Sequence, residues 1–407
     1  MRTFISALLV ILIAACSSLK YTDTGKTLKP LSIIFSSNRF NSLETCDCVL
    51  KKIGGLDREW NLTSRWKNSS VGELVAFTSG TTFLPPPKEY KASKHKLYKR
   101  RSETMVEGLS ELKLSALSPS INDFRLGMKE IADLKGKARF PFVSANIVDA
   151  GTKALLFQPK ISLEQEGIRI VVIGLSGAPD PAYGPVVGAT TISPIEALQK
   201  ALEGVDPKDQ LVVLLSSLTD VEREQVQLRF PQIHLILGAN HQSNTTFNIR
   251  QQTGSLLYLH PTGEGRTLSL IELEMKTPIT TFFNPWLATT TKDVRQIWEN
   301  RVLDVEKQLL NEKLKPAERE ELLSKKTEFQ TYLQRTHTIP LELNPTTISY
   351  RATTVELDEN YQVPENPVTD LLKPYRREPG SATAQPTDQS SDTGSHPSDQ
   401  THDTSQP

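Results

Sequence analysis

The segment IRIVVIGLSG, from Ile168 to Gly177, shows the pattern on which the fold prediction depends. Its β-branched residues follow one another almost continuously instead of alternating with polar residues. Continuous apolar runs are typical of strands that are covered on both faces, whereas alternating runs are typical of half-buried strands. The segment therefore predicts an interior strand of an α/β protein.

Seven further apolar runs have the same character, and helical patterns lie between them, one of which begins with the N-cap signal Ser193-Pro194. Alternating strands and helices indicate an α/β or layered α/β core that extends from residue 31 to about residue 276. The predicted strands are Leu31–Phe35, Leu74–Phe77, Phe142–Ala145, Ile168–Ile173, Leu211–Leu215, Leu235–Leu237, Leu256–Leu259 and Leu268–Glu272. The predicted helices are Glu103–Leu112, Ser193–Leu202 and Val221–Arg229.

The charges of the chain balance, with 47 basic and 47 acidic residues among 407. This balance gives no general reason to expect nucleic acid as a partner. One stretch departs from it, because KEYKASKHKLYKRR, from Lys88 to Arg101, is strongly basic. The stretch predicts either the solvated face of a loop or helix, or a contact with an anionic surface such as lipid headgroups.

The N-terminus has the features of an export signal. Arg2 precedes the apolar stretch FISALLVILIAA, which is too short to span a membrane and ends in small residues before Cys16. Residues 13–16, IAAC, resemble the bacterial lipobox, which implies that Cys16 is lipidated and anchors the protein to a membrane. Two serines follow without an aspartate, which resembles signals for the outer membrane. The alternative is an ordinary secretory signal that happens to end at a cysteine.

Cys46 and Cys48 are the other two cysteines of the chain. They form a C-x-C pair in what the signal implies is an oxidising compartment. A disulfide across one intervening residue is strained, and a zinc site would need two more ligands at suitable spacing. The sequence therefore assigns neither a disulfide nor a metal to this pair.

The C-terminal part of the chain changes character. Between residues 291 and 336 the apolar residues recur mostly at spacings of three and four, and Pro316 stands where a second helix would begin. This pattern predicts a helical hairpin that packs on the α/β domain or, alternatively, binds a partner. A possible strand, Ile348–Leu357, lies within an otherwise irregular extension, and residues 378–407 lack large apolar residues, which predicts disorder.

Several segments, taken in order, resemble the bacterial 5′-nucleotidase-like (calcineurin-like) metallophosphoesterases. ETCDCVLKKIGGLDR, from Glu44, resembles their C-G-C…G-G-L-A-R segment, and LILGANHQ, from Leu235, resembles their late L-I-x-G-G-H-x-H segment. FPFVSANI, from Phe140, resembles the segment that follows their N-H-E-F-D motif. The resemblance covers roughly residues 31–276. It implies a layered αββα sandwich whose strand ends hold two metal ions, which polarise a phosphoester and activate water.

The positions that match the ligand motifs of this family carry different residues here. In SSNRFNS, residues 36–42, Asn38 stands at the aspartate of T-N-D-x-H-G and Phe40 stands at its histidine. In SINDFRLG, residues 120–127, Ile121 stands at the ligand asparagine and Asn122 at the catalytic histidine. The other substituted positions are Thr81 at the aspartate of G-D-x-F, Ser217 at a strand-end histidine, and Asn240 and Gln242 at the histidines of G-G-H-x-H.

These substitutions remove the negative charge and the imidazoles that a two-metal centre needs. Asparagine, threonine, serine and glutamine are neutral and bind divalent cations poorly, and phenylalanine offers no donor. The resemblance therefore predicts no catalytic residue, no metal ligand and no cofactor at these positions. The alternative is that His241 holds manganese or zinc together with Asp123, His234 or His260. We expect His234 to be a buried core histidine, because it lies at the start of an apolar run.

The predicted function is that of an exported lipoprotein of the bacterial envelope, with a degenerate metallophosphoesterase-like domain that binds or scaffolds without hydrolysing phosphoesters. Its expected partners are the membrane, through Cys16, and an envelope protein, but not nucleic acid. Two alternatives stay open: a metal-dependent phosphoesterase or 5′-nucleotidase with altered ligands, and a structural lipoprotein that acts through its helical hairpin. The predicted segments are a lipoprotein signal peptide (1–15), a lipidated tether (16–30), the metallophosphoesterase-like domain (31–276), a linker (277–290), the helical hairpin (291–336), an irregular extension (337–377) and a disordered tail (378–407).

Overall fold

The structure is a computed structural model. It describes residues 26–46, 52–69, 72–165, 167–239, 248–253, 256–260, 263–280, 282–283, 285–311, 314–336, 348–362 and 365–375. The predicted signal peptide with Cys16, the predicted tail, Cys48, and the segment that contains Asn240, His241 and Gln242 lie outside these residues.

The chain alternates between strands and helices, as the sequence predicts. The strands are β1 (Lys26–Thr27), β2 (Leu31–Ser37), β3 (Glu73–Gly80), β4 (Ala116–Pro119), β5 (Ile147–Asp149), β6 (Lys160–Gln165), β7 (Ile168–Ser176), β8 (Ala189–Thr191), β9 (Gln210–Ser217), β10 (Leu235–Gly238), β11 (Asn248–Thr253), β12 (Leu256–His260), β13 (Thr267–Glu274), β14 (Lys276–Thr277), β15 (Phe282–Phe283) and β16 (Ile348–Glu356). The helices are α1 (Leu56–Ser69), α2 (His95–Glu111), α3 (Met128–Lys137), α4 (Pro194–Ala201), α5 (Asp220–Arg229), α6 (Pro285–Leu309), α7 (Pro316–Thr336) and α8 (Thr369–Leu372).

Two mixed sheets, each with six strands in the described part of the chain, form the centre of the protein. The first has the order β15-β16-β13-β2-β3-β4, and the second has the order β11-β12-β10-β9-β7-β6. The strands β2, β3 and β4 run parallel to one another, as do β7, β9, β10 and β12. The carboxyl ends of parallel strands lie at the same edge of a sheet, so this topology gathers the segments that follow them.

The sheets pack face to face, and helices cover their outer faces. Phe35 and Phe77 of the first sheet share one buried cluster with Val172 and Val213 of the second sheet. A second cluster joins the outer face of the first sheet to α1, α2 and α3, and a third joins the outer face of the second sheet to α4 and α5. The continuous apolar runs supply side chains to both faces of each strand, which confirms the predicted αββα sandwich.

The predicted helical hairpin is present in α6 and α7, and the second helix begins at Pro316. The rings of Trp298 and Phe329 lie 5.5 Å apart between the two helices, and Lys326 forms an ion pair with Glu306 at 2.8 Å. The two helices therefore contact each other through this ring pair and this ion pair, while Ile297, Leu310 and Leu323 of the predicted stripe are exposed.

The segment after the hairpin belongs to the packed domain. β16 pairs antiparallel with β13 from Thr267↔Glu356 to Glu274↔Ser349. Further along, Val368 is fully buried in the cluster that joins the first sheet to its helices. The possible strand Ile348–Leu357 is thus present as β16, and β16 and Val368 pack with the domain that begins at β2.

One predicted strand, Phe142–Ala145, is wrong as a regular strand. Its backbone amides donate to three different neighbours: Val143 to Leu117, Ser144 to Gln158, and Ala145 to Gly174. Because these acceptors belong to different parts of the chain, the segment forms isolated bridges instead of a ladder with one strand.

Among the described residues, no helix combines the length and the apolar character that crossing a bilayer requires.

Cys46 is disulfide-bonded, a state that the sequence analysis did not assign.

Candidate functional site

The carboxyl ends of the parallel strands of both sheets meet at one edge of the sandwich. Ser79, near the end of β3, donates its hydroxyl to the backbone oxygens of Ser216 and Leu237 at 3.3 Å, and so links the two sheets. The backbone amide of Ala239, just after β10, donates to the Ser216 oxygen at 2.7 Å. The backbone amide of Ile121 donates to the Ser176 hydroxyl at 2.9 Å. This strand-end edge therefore brings together the segments that carry the sequence-predicted site positions.

Asn38 follows β2 in a left-handed backbone conformation, with a φ of 42°. Its side-chain oxygen accepts a hydrogen bond from the backbone amide of Thr81 at 3.1 Å. A Cβ atom on Gly80 would lie only 2.2 Å from that oxygen and 2.5 Å from the Ala239 Cβ, so only glycine fits this close approach. The side chain at the family's aspartate position is therefore used to join the loops that follow β2 and β3.

Phe40 and Asn41 continue the loop, both with positive φ. Their backbone amides donate to the oxygens of Thr81 and Thr82 at 3.0 and 2.9 Å. The Asn41 amide nitrogen donates to the Phe83 oxygen at 2.8 Å. Since Phe40 is buried and offers no lone pair, the histidine position of the first motif contributes hydrocarbon and backbone contacts alone.

Ile121 and Asn122 begin a short 3-10 helix, Ile121–Leu126, which Ser120 caps. The Ile121 side chain is fully buried in the cluster beneath α2 and α3. The side-chain oxygen of Asn122 accepts the backbone amide of Asp180 at 2.9 Å, and its amide nitrogen has no partner among the described residues. Because an amide nitrogen donates hydrogen bonds and has no free lone pair, it is not a cation ligand.

Asp123 is fully buried next to these residues. Its carboxyl group accepts the backbone amides of Phe83 at 2.8 Å, Thr82 at 3.0 Å and Ser120 at 3.2 Å. Burial raises the pKa of Asp123 to about 7, while these three amides act in the opposite direction. Asp123 thus ties the 3-10 helix to the loop after β3.

Ser217 ends β9 at the strand-end histidine position. Its hydroxyl lies 3.5 Å from that of Ser176, whose backbone is held on both sides by Asn146. The pair is buried and neutral, and it joins the ends of β7 and β9.

His234 lies at the other end of β10, away from the strand-end edge. It is buried, and its Nδ1 accepts the backbone amide of Val212 at 2.9 Å. Burial lowers the pKa of His234 to about 4, so it stays neutral near neutral pH. The expectation of a core histidine is confirmed, and the geometry does not bring His234 to Asp123. The side chain of His260 lies outside the described part of the structure, as does His241.

The described residues at the strand-end edge do not fit a two-metal centre. The aligned positions supply two amides, two hydroxyls and two hydrocarbon side chains, of which the amide oxygens are already hydrogen-bonded to backbone amides. The nearby carboxylate of Asp123 faces three backbone amides, which would have to be left without a partner if it turned to a metal ion. In the described part of the chain, no group of three or more His, Cys, Asp or Glu side chains could hold a metal ion.

Sequence reasoning missed a buried ion pair beside this loop. The guanidinium group of Arg39 donates to both carboxylate oxygens of Glu59 in α1, at 2.7 and 2.6 Å. It also donates to the hydroxyls of Ser36 and Thr78. Arg39 stands at the unassigned position between Asn38 and Phe40, and a single sequence carries no signal that pairs it with a glutamate twenty residues away.

No protein-family model matches the chain. The 5′-nucleotidase of Vibrio cholerae is 33% identical over 75 residues, which are 18% of this chain and 14% of that protein. The 5′-nucleotidase of Vibrio vulnificus is 27% identical over 124 residues, which are 30% of this chain and 20% of that protein. Among solved structures, the 5′-nucleotidase precursor from Thermus thermophilus has a TM-score of 0.50 at 20% identity, over 60% of this chain and 51% of that chain.

These comparisons confirm the resemblance to the 5′-nucleotidase-like (calcineurin-like) metallophosphoesterases, whose fold the chain has. The match spans about half the length of the Thermus structure and a fifth or less of each Vibrio protein.

Proposed function

We propose that the protein is an exported, lipid-anchored lipoprotein of the bacterial envelope whose metallophosphoesterase-like domain binds or scaffolds and does not hydrolyse phosphoesters. The proposal rests on the residues that occupy the positions of the family's metal ligands. Asn38, Thr81, Asn122 and Ser217 reach the strand-end edge of the fold as neutral residues, and the side-chain oxygens of Asn38 and Asn122 are engaged in internal hydrogen bonds. Such groups cannot neutralise two divalent cations.

The first experiment measures metal binding by the chain from residue 17 onwards, which retains every described residue. The protein is incubated with manganese and zinc, desalted, and analysed for bound metal per chain by mass spectrometry. We expect well below one metal ion per chain, since the aligned donors carry no charge. About two metal ions per chain, as a two-metal hydrolase needs, would contradict the proposal.

A matched His241→Ala variant separates the enzyme alternative from adventitious binding. If about one ion binds to the parent protein and is lost in this variant, a rebuilt site at His241 is indicated, and metal-dependent hydrolysis of p-nitrophenyl phosphate and nucleotides becomes the next assay. A Vibrio 5′-nucleotidase treated in the same way serves as the positive control.

Two observations support export. Residues 1–16 have the features of a lipoprotein signal, and Cys46 is disulfide-bonded, which is typical of proteins in oxidising compartments. If Cys16 carries the lipid, cells that produce the full chain should incorporate labelled palmitate into it and retain it in the membrane fraction. The Cys16→Ala variant should lose both properties, whereas an unlabelled parent chain would favour an ordinary secretory signal.

A further inference from the structure

We propose that a cluster of four lysines, Lys88, Lys91, Lys94 and Lys96, docks the domain on an anionic bilayer surface. These residues, called the lysine surface below, lie in the segment between β3 and the first turn of α2. All four are exposed. The proposal rests on the proposed anchoring only in that the anchor places a bilayer nearby.

The four ammonium groups are not used within the described structure. None of them lies within ion-pair distance of a described carboxylate, and Glu89 is the one acidic residue between Lys88 and Lys96. The cations that follow along α2 have internal roles instead. Lys99 pairs with Glu130 at 3.5 Å, Arg101 donates to Glu44 at 3.0 Å, and Arg100 stacks on the Tyr375 ring at 5.3 Å. The basic stretch thus divides into a structural half and a half without internal partners.

The electrostatics of the helix do not favour lysines at this position. Helix N-termini attract negative charge, yet the N-cap residue of α2 is Lys94, which forms no side-chain cap, and the first turn of α2 has no acidic residue. In contrast, α4 and α5 begin with capping side chains from Ser193 and Thr219 and have acidic first turns. An external anionic surface would compensate the charge that the fold leaves uncompensated at α2.

Hydrogen bonds and packed aromatic rings hold the backbone segment that carries the four lysines. The Lys91 amide donates to the hydroxyl of the buried Tyr98 at 3.1 Å, and that hydroxyl lies 3.4 Å from the Glu89 oxygen. The Tyr90 ring packs against the rings of Tyr98 and Tyr183, each at 5.8 Å. These contacts fix the positions of the lysines, so the segment does not have to become ordered when it binds a surface.

A bilayer fits these features better than a small anion does. Exposed lysines spread along one segment attract a surface of distributed negative charge, and polybasic segments of this kind recognise anionic headgroups. The predicted tether can reach such a bilayer: residues 17–25 span at most roughly 30 Å when extended. This reach exceeds the length of β2, whose seven residues span about 23 Å and separate the end of the tether from the strand-end edge. The lysine surface follows β3, which ends at that edge.

The test uses the chain from residue 17 onwards, which lacks the lipidated cysteine, and sedimentation with phosphatidylcholine vesicles prepared with and without phosphatidylglycerol. The test variant carries Lys88→Gln, Lys91→Gln, Lys94→Gln and Lys96→Gln. A matched control makes the same change at four exposed lysines elsewhere: Lys113→Gln, Lys153→Gln, Lys200→Gln and Lys208→Gln. Thermal unfolding checks that both variants fold.

We expect the parent chain to bind the anionic vesicles and to lose binding as salt is raised. Each lysine near an anionic surface strengthens binding about fivefold, so the test variant should bind on the order of a hundredfold or more weakly, while the control variant binds like the parent. Lysine-to-arginine changes at the same four positions should preserve binding.

Absence of binding to anionic vesicles would overturn the proposal, as would equal losses in the test and control variants. Binding to heparin or to an acidic protein without binding to vesicles would also overturn it, and would assign the lysine surface to a different partner. Because the tested chain lacks Cys16, its result is independent of the palmitate experiment.

Discussion

Replacing Glu59 by alanine should lower the free energy of unfolding by about 3–5 kcal/mol. The side chains of Arg39 and Glu59 are only 1% and 6% exposed, so the substitution leaves a guanidinium charge in the interior without its carboxylate. Ser36 and Thr78 still accept hydrogen bonds from it, but hydroxyls do not neutralise the charge. Urea unfolding followed by tryptophan fluorescence measures the loss, since Trp60 and Trp66 lie in the same helix as Glu59.

The matched control is an exposed pair of the same chemistry. Arg351 and Glu272 lie 2.9 Å apart on neighbouring strands, with side chains 76% and 42% exposed. Water screens this pair, so Glu272→Ala should cost no more than about 1 kcal/mol. The double variant Arg39→Met, Glu59→Leu should recover much of the lost stability, because it removes both buried charges. Equal effects of Glu59→Ala and Glu272→Ala would show that Arg39 gains access to water when its partner is removed.

The apolar strand runs allowed the sandwich to be predicted, because strands such as β7 and β9 are apolar on both faces. Helix α1 was not predicted, because several of its buried residues are polar. Its buried residues include Arg58 and Asn61, which donate to Leu357 and Tyr361, about three hundred residues further along the chain. Polar side chains that are buried by such distant contacts conceal the helical stripe. For the same reason the sequence did not show that β16 and Val368 pack with the domain.

The sequence predicted where the site positions lie, but it did not predict which contacts their side chains make. The motif order placed Asn38 and Thr81 at neighbouring strand ends, and they meet there. What the sequence could not show is that the Asn38 oxygen accepts the Thr81 amide, or that Asp123 faces three backbone amides. These contacts depend on the left-handed turn after β2 and on the 3-10 helix after β4. Asparagines in the turn and the capping-box spacing of Ser120 and Asp123 are local signals, and they do not show which distant amides these side chains meet.

The contribution of Asp123 to the stability of the protein should fall as pH rises from about 4 to about 7. In this window the unfolded chain releases the proton of Asp123, whereas the folded chain retains it, since burial raises its pKa to about 7. At Asp123 the folded state thus binds more protons than the unfolded state, so the contribution of this group decreases with rising pH, whereas the lowered pKa of His234 acts in the opposite direction. Because each pH unit between the ordinary and the raised pKa changes stability by about 1.4 kcal/mol, the contribution of Asp123 is at most about 4 kcal/mol.

The Asp123→Asn variant isolates this contribution from that of every other titrating group, including the buried His234. Its amide oxygen can still accept from the amides of Thr82 and Phe83. Its nitrogen is a donor and cannot accept from the Ser120 amide, so that hydrogen bond is lost at every pH and does not alter the pH dependence. The stability of wild type relative to this variant, measured by urea unfolding, should therefore fall between pH 4 and 7. Asp149→Asn is the control: the backbone amide of Thr152, chiefly, lowers the pKa of the half-buried Asp149, so its contribution is lost only at lower pH. Parallel curves for wild type and Asp123→Asn would mean that three backbone amides suffice to keep Asp123 ionised in the interior, and the strand-end edge would then hold a permanent negative charge.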